Sequence, residues 1–266
     1  MSHHPLAVID PSAIIGKNVV IEPFAHIKSD VVIGDNSYIA SHAVICEGAR
    51  IGKNCSIFHG AVLSSIPQDL KYENEYATLE IGDNTIVREY CTLNRGTKAS
   101  GKTVIGSNCL LMAYVHVAHD CIVGNHCVLA NNVTLAGHIE VGDWAVLGGL
   151  TAVHQFVKIG VHAMVSGGSL VLKDVPPFVK VARNPLAYIG INSIGLHRRN
   201  FTQEQINHIQ DMYRILFVQN NNITKGLEMV RTDFEASAER ETILDFVDKS
   251  ERGLVRGFQV GATEEA

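Results

Sequence analysis

The chain has 266 residues, of which 46% are hydrophobic and only 18% charged, against about 25% charged in ordinary soluble domains. At roughly 150 residues per domain this is room for one large domain or two unequal ones, with much of the surface uncharged, as in a chain that buries part of itself between subunits. Lys and Arg number 22 against 27 Asp and Glu, so the formal charge is −5 and no basic excess is present to hold a nucleic-acid backbone; no apolar run approaches the ~20 residues of a membrane span, and the start Met1-Ser2-His3-His4-Pro5 is not a leader, which makes the sequence read as cytoplasmic.

From Ile9 an aliphatic residue recurs at every sixth position, through Ile15, Ile21, Ile27, Ile33, Ile39, Ile45, Ile51 and Ile57 to Leu63. The series resumes at Ile81, Val87 and Leu93 and then runs unbroken from Ile105 through Leu111, Val117 and Val123 to Val171. A period of six is neither the 3.6 of a helix nor plain strand alternation, so each hexad is a short strand plus a corner, with the aliphatic inward. Two residues before the aliphatic stands a small residue or valine, as at Ala7, Ala13, Val19, Ala25, Ala43, Ala49 and Ala61. Five of the six cysteines, Cys55, Cys91, Cys109, Cys121 and Cys127, hold this same slot and read as small buried fillers with reduced thiols.

Glycines close the geometry. Gly16, Gly34 and Gly52 are 18 residues apart, as are Gly106, Gly124, Gly142 and Gly160, so three hexads make one coil of a triangular prism. Asn18, Asn36, Asn54 and Asn108 follow two places after such a glycine, where a left-handed corner is expected. The ladder breaks twice, leaving about twelve residues to loop out between Leu63 and Ile81 and about six between Leu93 and Ile105. Solenoid insertions tend to lie on a binding face, which singles out Gln68-Asp69-Leu70-Lys71.

After Pro176-Pro177 the period stops. Thr202 reads as a helix N-cap with Gln205 completing a capping box and Phe201 stapling to Ile206; Ile206, Ile209, Met212, Tyr213, Leu216 and Phe217 form its apolar stripe. Further helices are expected over Thr224–Glu235 and Glu239–Ser250, with a flexible tail after Gly257. The fold class is thus a β-solenoid of hexapeptide repeats over residues 1–185 with a small C-terminal α-helical domain over 186–266.

Stacked coils turn an 18-residue spacing into adjacency. His119, Gly137 and Gln155 fall in one column, Asp120, His138 and Phe156 in the next, and Ala118, Ala136 and His154 on the other side, with His116 a short step away. A lone histidine on a solenoid is an ordinary exposed polar residue, but three from consecutive coils suit acid–base chemistry or a metal. A carboxylate at Asp120 would fix a histidine tautomer, and the bare backbone at Gly137 would offer an N–H to an oxyanion.

The hexads, His116-Val117-Ala118-His119-Asp120-Cys121, Leu135-Ala136-Gly137-His138 and Ala152-Val153-His154-Gln155-Phe156, together with Gln68-Asp69-Leu70-Lys71-Tyr72, Gly190-Ile191-Asn192 and Leu196-His197-Arg198-Arg199, resemble the acyl-[acyl-carrier-protein]–UDP-N-acetylglucosamine O-acyltransferases of lipid A biosynthesis, within the hexapeptide-repeat acyltransferase superfamily. The resemblance spans about Ile9 to Arg199. It implies a left-handed parallel β-helix, an exception to the right-handed crossover rule, and a homotrimer with clefts between subunits in the cytoplasm of a Gram-negative-type bacterium. It further implies transfer of an R-3-hydroxyacyl group to the sugar 3-hydroxyl as the first step of that biosynthesis, with no metal or cofactor, the acyl-phosphopantetheine arriving on acyl carrier protein as substrate. His119 would be the general base, Asp120 its orienting partner and Gly137 the oxyanion N–H. His138, Gln68, Asp69 and Lys71 would position the sugar nucleotide, and His116, Asn192, Arg198 and Arg199 would contact its phosphates or uridine, the arginine pair serving alternatively as a solvated basic patch or a landing site for the acidic carrier protein. His154 and Gln155 would lie by the acyl or pantetheine arm, and Gly167 would be the acyl-chain ruler.

Two positions depart from the family pattern: Ile194 stands where an acidic residue is expected and Asn94 where a histidine often precedes Arg95-Gly96. The related UDP-3-O-acylglucosamine N-acyltransferases carry a uridine-binding domain ahead of their prism, for which hexads starting at Ile9 leave no room. A zinc carbonic anhydrase of the same solenoid class would want two histidines five apart, whereas His116 and His119 are three apart. A non-catalytic β-helix would not need a His–Asp pair beside a bare glycine backbone.

Overall fold

The protein is described by a computed structural model covering residues 2–219 and 222–257. The tail expected after Gly257 lies outside the described residues. The hexads become two- to four-residue strands stacked into three parallel sheets, the faces of a triangular prism. Face I contains Val20–Ile21, face II Val8–Ile9 and face III Ile14–Ile15, and the chain visits them in the order II, III, I.

Register shows why the period holds. On face II, Ile9 pairs with Ile27, Ile27 with Ile45, Ile45 with Leu63, Leu63 with Leu93, Leu93 with Val117, and so on through Leu135 and Val153 to Val171. The longer steps at Leu63–Leu93 and Leu93–Val117 are the two expected excursions, loops 66–77 and 95–101, and both leave the prism at the edge between faces II and III. The inward aliphatics from Ile21 to Val171 are almost wholly buried, each worth about 1.5–3 kcal/mol relative to exposure. Corners turn through left-handed residues, among them Asn18, Asn36, Asn54 and Asn108, with φ of 57°, 59°, 55° and 59°.

The slot two residues before the aliphatic has a further role that size alone did not reveal. Along the edge leading onto face I, the Ser37 hydroxyl donates to the Gly52 carbonyl at 3.0 Å and the Thr85 hydroxyl to Gly106 at 2.8 Å. The thiols of Cys55, Cys109 and Cys127 do the same for Gly82, Gly124 and Gly142 at 3.2, 3.0 and 3.2 Å. These side chains are small fillers that also satisfy a half-buried corner carbonyl in the neighbouring coil. All six cysteines are buried and free.

The prism extends past its sequence period at both ends. His3 pairs with Ile21, and at the far end Val175 bridges to Ile159 and Val181 pairs with Val165 across a 16-residue step that the hexad count does not follow. Strand Val179–Ala182 then turns back on Ala187–Ile191 as the one antiparallel pair among the described residues. Four helices follow: α1 (Ser193–Arg198), which the apolar pattern did not show, α2 (Gln203–Arg214), α3 (Ile223–Asp233) and α4 (Ala238–Asp248). α2 begins as expected, with Gln205 N–H donating to the Thr202 hydroxyl at 3.2 Å and Thr202 N–H to Gln205 Oε1 at 2.9 Å. Its last turn continues as a π-helical turn over Ile215–Gln219. α2 is fastened to the prism by the buried Tyr213, whose hydroxyl donates to the Pro177 carbonyl at 2.7 Å. Buried Asp174 fastens the segment after α4, accepting from Lys158 N–H at 2.8 Å, the Ser250 hydroxyl at 2.6 Å and Arg252 N–H at 3.4 Å. No helix of the described residues is long and apolar enough to cross a membrane.

Candidate active site

The edge between faces II and III gathers the histidines. His138 N–H donates to the His119 carbonyl at 3.1 Å and Phe156 N–H to the Gly137 carbonyl at 3.2 Å, so the columns inferred by subtraction are real neighbours. Asp120 and His138 take left-handed corner conformations, with φ of 58° and 61°, which turns their side chains sideways along the edge. His119 Nδ1 lies 2.8 Å from Asp120 Oδ2, and His119 and His138 meet edge to face at 5.1 Å. His138 stacks on Phe156 at 4.7 Å, and its Nε2 is 3.8 Å from Asp120 Oδ2. Gly137 is what admits the imidazole, because a Cβ there would lie 2.7 Å from His119 Cε1. Gly137 is a buried residue, and its N–H has no acceptor among the described residues.

Asp120 is the best-satisfied group of the site. Its side chain is fully buried. Burial alone would raise its pKa, but hydrogen bonds from Ser100, Thr97 and His119 outweigh that and hold the carboxyl at about 2. The carboxylate is therefore an anion at neutral pH and accepts from Nδ1–H of His119, which leaves Nε2 outside that bond. The three side chains His119, Asp120 and His138 lie close enough to share a metal ion. Both carboxylate oxygens, however, are already taken by Thr97, Ser100 and His119, which suits an orienting role better than metal ligation.

Both excursion loops reach this edge. Asp69 brings Oδ2 to 4.0 Å from His119 Nε2, while Gln68 and Lys71 are exposed on the same loop and Leu70 stands fully out from it. The role of loop 95–101, which supplies Thr97 and Ser100 to Asp120, was not visible in the sequence; its only signal was a run of hydroxyls, Thr97, Ser100 and Thr103, across an interruption of the period. Asn94 fills its place by bracing the other loop, donating to Ser65 Oγ at 2.7 Å and the Ile66 carbonyl at 3.2 Å.

The remaining candidates stand outside this hydrogen-bonded group. His154 and Gln155 are exposed on the same edge, outside the hydrogen-bonded group. His116 sits on face II, bonded to the Thr92 hydroxyl at 2.7 Å, its pKa lowered by burial. Asn192, Arg198 and Arg199 line a separate cleft of about 470 Å³ with Lys180, Met164 and Ile194, against face I. There the Asn192 side chain caps α1, accepting from Gly195 N–H at 3.3 Å, and donates to the His162 carbonyl at 2.9 Å. The Arg199 guanidinium lies 5.2 Å over Trp144 and 3.3 Å from His162 Nδ1. His162 is held at about 4 by burial and by the Arg199 charge, so it is neutral and accepts that bond. Gly167 is on the third edge, between faces I and II, packed against Gly149. The sequence-derived site is thus divided among three edges of one prism.

Known proteins share this architecture over nearly the whole chain. A family model described as bacterial transferase hexapeptide (six repeats) matches residues 12–47 and 102–137, and one described as UDP N-acetylglucosamine O-acyltransferase, domain 2, matches residues 174–255. The acyl-[acyl-carrier-protein]–UDP-N-acetylglucosamine O-acyltransferase of Chlorobaculum parvum is 59% identical over 253 residues, covering 95% of this chain and 96% of that protein. That of Chlorobium phaeobacteroides is 61% identical over 251 residues, covering 94% and 95%. The crystal structure of a UDP-N-acetylglucosamine acyltransferase from Bacteroides fragilis superposes with a TM-score of 0.94 at 47% identity, covering 95% of this chain and 99% of that one. The enzyme from Francisella novicida gives 0.93 at 38% identity, covering 96% and 94%. Hexads, helical cap and near-complete coverage agree: the chain is a left-handed parallel β-helix with a C-terminal helical region, and it belongs to the acyl-[acyl-carrier-protein]–UDP-N-acetylglucosamine O-acyltransferase family.

Proposed function

We propose that this chain transfers an R-3-hydroxyacyl group from acyl carrier protein to the 3-hydroxyl of UDP-N-acetylglucosamine, opening lipid A biosynthesis in the cytoplasm, with His119 as general base and no metal or cofactor. The observation that carries the reading is the His119–Asp120 pair beside the unpaired N–H of Gly137. With Nδ1–H committed to Asp120, Nε2 removes the proton from the sugar hydroxyl as its oxygen attacks the thioester carbonyl. The tetrahedral oxyanion takes the Gly137 N–H, and collapse breaks the C–S bond. The departing pantetheine thiolate then recovers the proton from His119 Nε2. Asp69, Gln68, Lys71 and His138 position the sugar nucleotide beside the base.

The division of the site among edges supports a homotrimer. Outward side chains on faces I and II are largely uncharged, as at Tyr38, Val128 and Val146 on one and Val44, Val62 and Ala152 on the other. Face III presents charged outward side chains, paired as Lys102–Glu80 at 3.1 Å and Lys158–Glu140 at 3.5 Å. A cyclic arrangement with the I/II edges at the axis packs face II of one protomer on face I of the next. It brings the His119 edge of one to the Trp144–Arg199 edge of its neighbour. Asn192, Arg198, Arg199 and His116 then reach the nucleotide, and Gly167 limits the acyl groove that His154 and Gln155 border.

The test is purified protein with a panel of acyl carrier protein thioesters and UDP-N-acetylglucosamine, the product identified by mass. Turnover is expected with wild type and a loss of about 10² to 10⁴ in His119→Ala of unchanged assembly. Near-native turnover by that variant would remove the general-base assignment.

A further inference from the structure

The carboxylate that orients His119 is itself held by a device the hexad pattern does not require. Asp120 Oδ1 accepts from Thr97 N–H at 3.0 Å, Ser100 N–H at 3.3 Å and the Ser100 hydroxyl at 2.5 Å. Oδ2 accepts from the Thr97 hydroxyl at 2.7 Å and shares the 2.8 Å contact with His119 Nδ1. The backbone N–H of Asp120 donates to the Thr103 hydroxyl at 2.8 Å. All the partners except His119 come from loop 95–101 and the strand it feeds, Lys102–Ile105.

Other corners of this prism turn without any excursion, so closing a coil does not require loop 95–101. The loop is folded tightly to reach Asp120: a Cβ at Gly96 would run into the Lys102 backbone. It is braced against the Asp69 loop by Lys98, whose N–H donates to Glu75 Oε1 at 3.0 Å and whose ammonium lies 3.1 Å from Glu73. A carboxylate free to rotate about its last torsion would present either oxygen to the imidazole or neither, because that torsion is broad. Three donors on one oxygen and the Thr97 hydroxyl on the other leave a single orientation. Donors of this kind also make the carboxylate a weak base, so it steadies the imidazolium without taking its proton.

We propose that Thr97 and Ser100 are positioning residues for acyl transfer, their hydroxyls locking Asp120 in the rotation that holds Nδ1–H of His119 and aims Nε2 at the substrate. The inference rests on reading His119 as the general base. It assigns a purpose to loop 95–101, which touches the dyad through Asp120.

The experiment uses the full-length protein with one acyl carrier protein donor, and measures kcat, KM for UDP-N-acetylglucosamine and melting temperature. Ser100→Ala and Thr97→Val are each expected to lower kcat about tenfold, and the double variant about a hundredfold, with KM changed less than about twofold. Ser100→Thr and Thr97→Ser keep a hydroxyl and are expected to stay within about threefold of wild type. The inference is overturned if the alanine and valine variants keep wild-type kcat, or if Ser100→Thr and Thr97→Ser lose as much as Ser100→Ala and Thr97→Val. His119→Ala run in parallel separates the two levels. Loss of turnover there with wild-type kcat in the loop variants removes only the loop's role, whereas turnover retained in His119→Ala removes the base assignment beneath it.

Discussion

The His119 imidazole occupies the space in front of Gly137 that any other residue at 137 would fill: a Cβ built there lies 2.7 Å from Cε1 and 2.9 Å from Nε2. The ring has no easy retreat, because Nδ1 is bonded to Asp120 and His138 packs on it edge to face. Gly137→Ala is therefore expected to push the base off its line and cost about 10² in kcat, as a displacement of about 1 Å can. The melting temperature should change little, since the coil backbone is kept. Steady-state kinetics with a thermal melt check this; wild-type kcat would mean that the ring relaxes freely.

Two groups, the half-buried His162 and the buried Asp120, give the fold a stepped acid response. His162 is held at about 4, below the usual 6.5, so the unfolded chain binds its proton first and stability drains as pH falls from about 6.5 to 4. Asp120 is held at about 2, below 3.8, so its contribution is full above about 4 and is lost as pH falls further toward 2. Denaturant melts of His162→Gln across pH 7 to 4 should show a flatter upper step than wild type, and those of Asp120→Asn a flatter lower step. Unchanged slopes would contradict the assignment of either group.

Arg199 is held by a ring face and a neutral imidazole nitrogen together, 5.2 Å over Trp144 and 3.3 Å from His162. A lysine keeps the charge but loses the planar fork. Arg199→Lys is expected to raise KM for UDP-N-acetylglucosamine by about tenfold with kcat nearly unchanged. A fall in kcat at constant KM would place this arginine nearer the reacting atoms than the nucleotide.

Asp174 joins the prism to the segment after α4 through three hydrogen bonds, and its side chain is buried. Asp174→Ala strands the Lys158 N–H and the Ser250 hydroxyl, a cost of about 3 kcal/mol. Denaturant titration is expected to show that loss, and amide exchange to show it concentrated at Ser250–Val255.

A Cβ on Gly167 would meet the Gly149 carbonyl at 3.0 Å, close enough to need a small shift but not to forbid a side chain. Gly167→Met is expected to shorten the acyl groove and exclude its last methylenes at about 0.8 kcal/mol each. Two lost methylenes would turn donor preference toward shorter chains by about an order of magnitude. A panel of donors should then reverse in rank; equal slowing of every chain length would mean that the ruler is another residue.

The prism was legible because each hexad is a local decision repeated: Ile9, Ile27 and Ile45 share a column for the same reason that they share a spacing. Where spacing changed without a glycine to mark it, as between Val165 and Val181, the rung was missed although it pairs like the others. The helix Ser193–Arg198 is too short to show an apolar period, and its cap, Asn192, stands in a Gly190-Ile191-Asn192 run that carries no helix-start pattern of its own. Subtraction placed His119, Asp120 and His138 correctly, because adjacent coils are in register. The same count puts Gly167 two hexads past Gln155 and so on another edge, but Arg199 lies beyond the last hexad at Val171, where no column reaches it. The hold of Thr97 and Ser100 on Asp120 was hidden for a different reason. A loop's path is set by its own hydrogen bonds, and no period carries that information.

The buried sulfurs have one more consequence. Burial pushes the Cys91 thiol up to about 11 and that of Cys121 to about 12, and the Cys55 thiol is raised as well, so in the intact prism none of these is an accessible thiolate. They sit at successive heights, Cys55 among the earlier rungs and Cys121 nearer the middle of the stack. Each becomes reactive only when its own rung opens. An alkylating probe followed by peptide mapping would therefore read, sulfur by sulfur, the point on the axis at which the solenoid starts to unzip and how far the break travels before the whole molecule gives way.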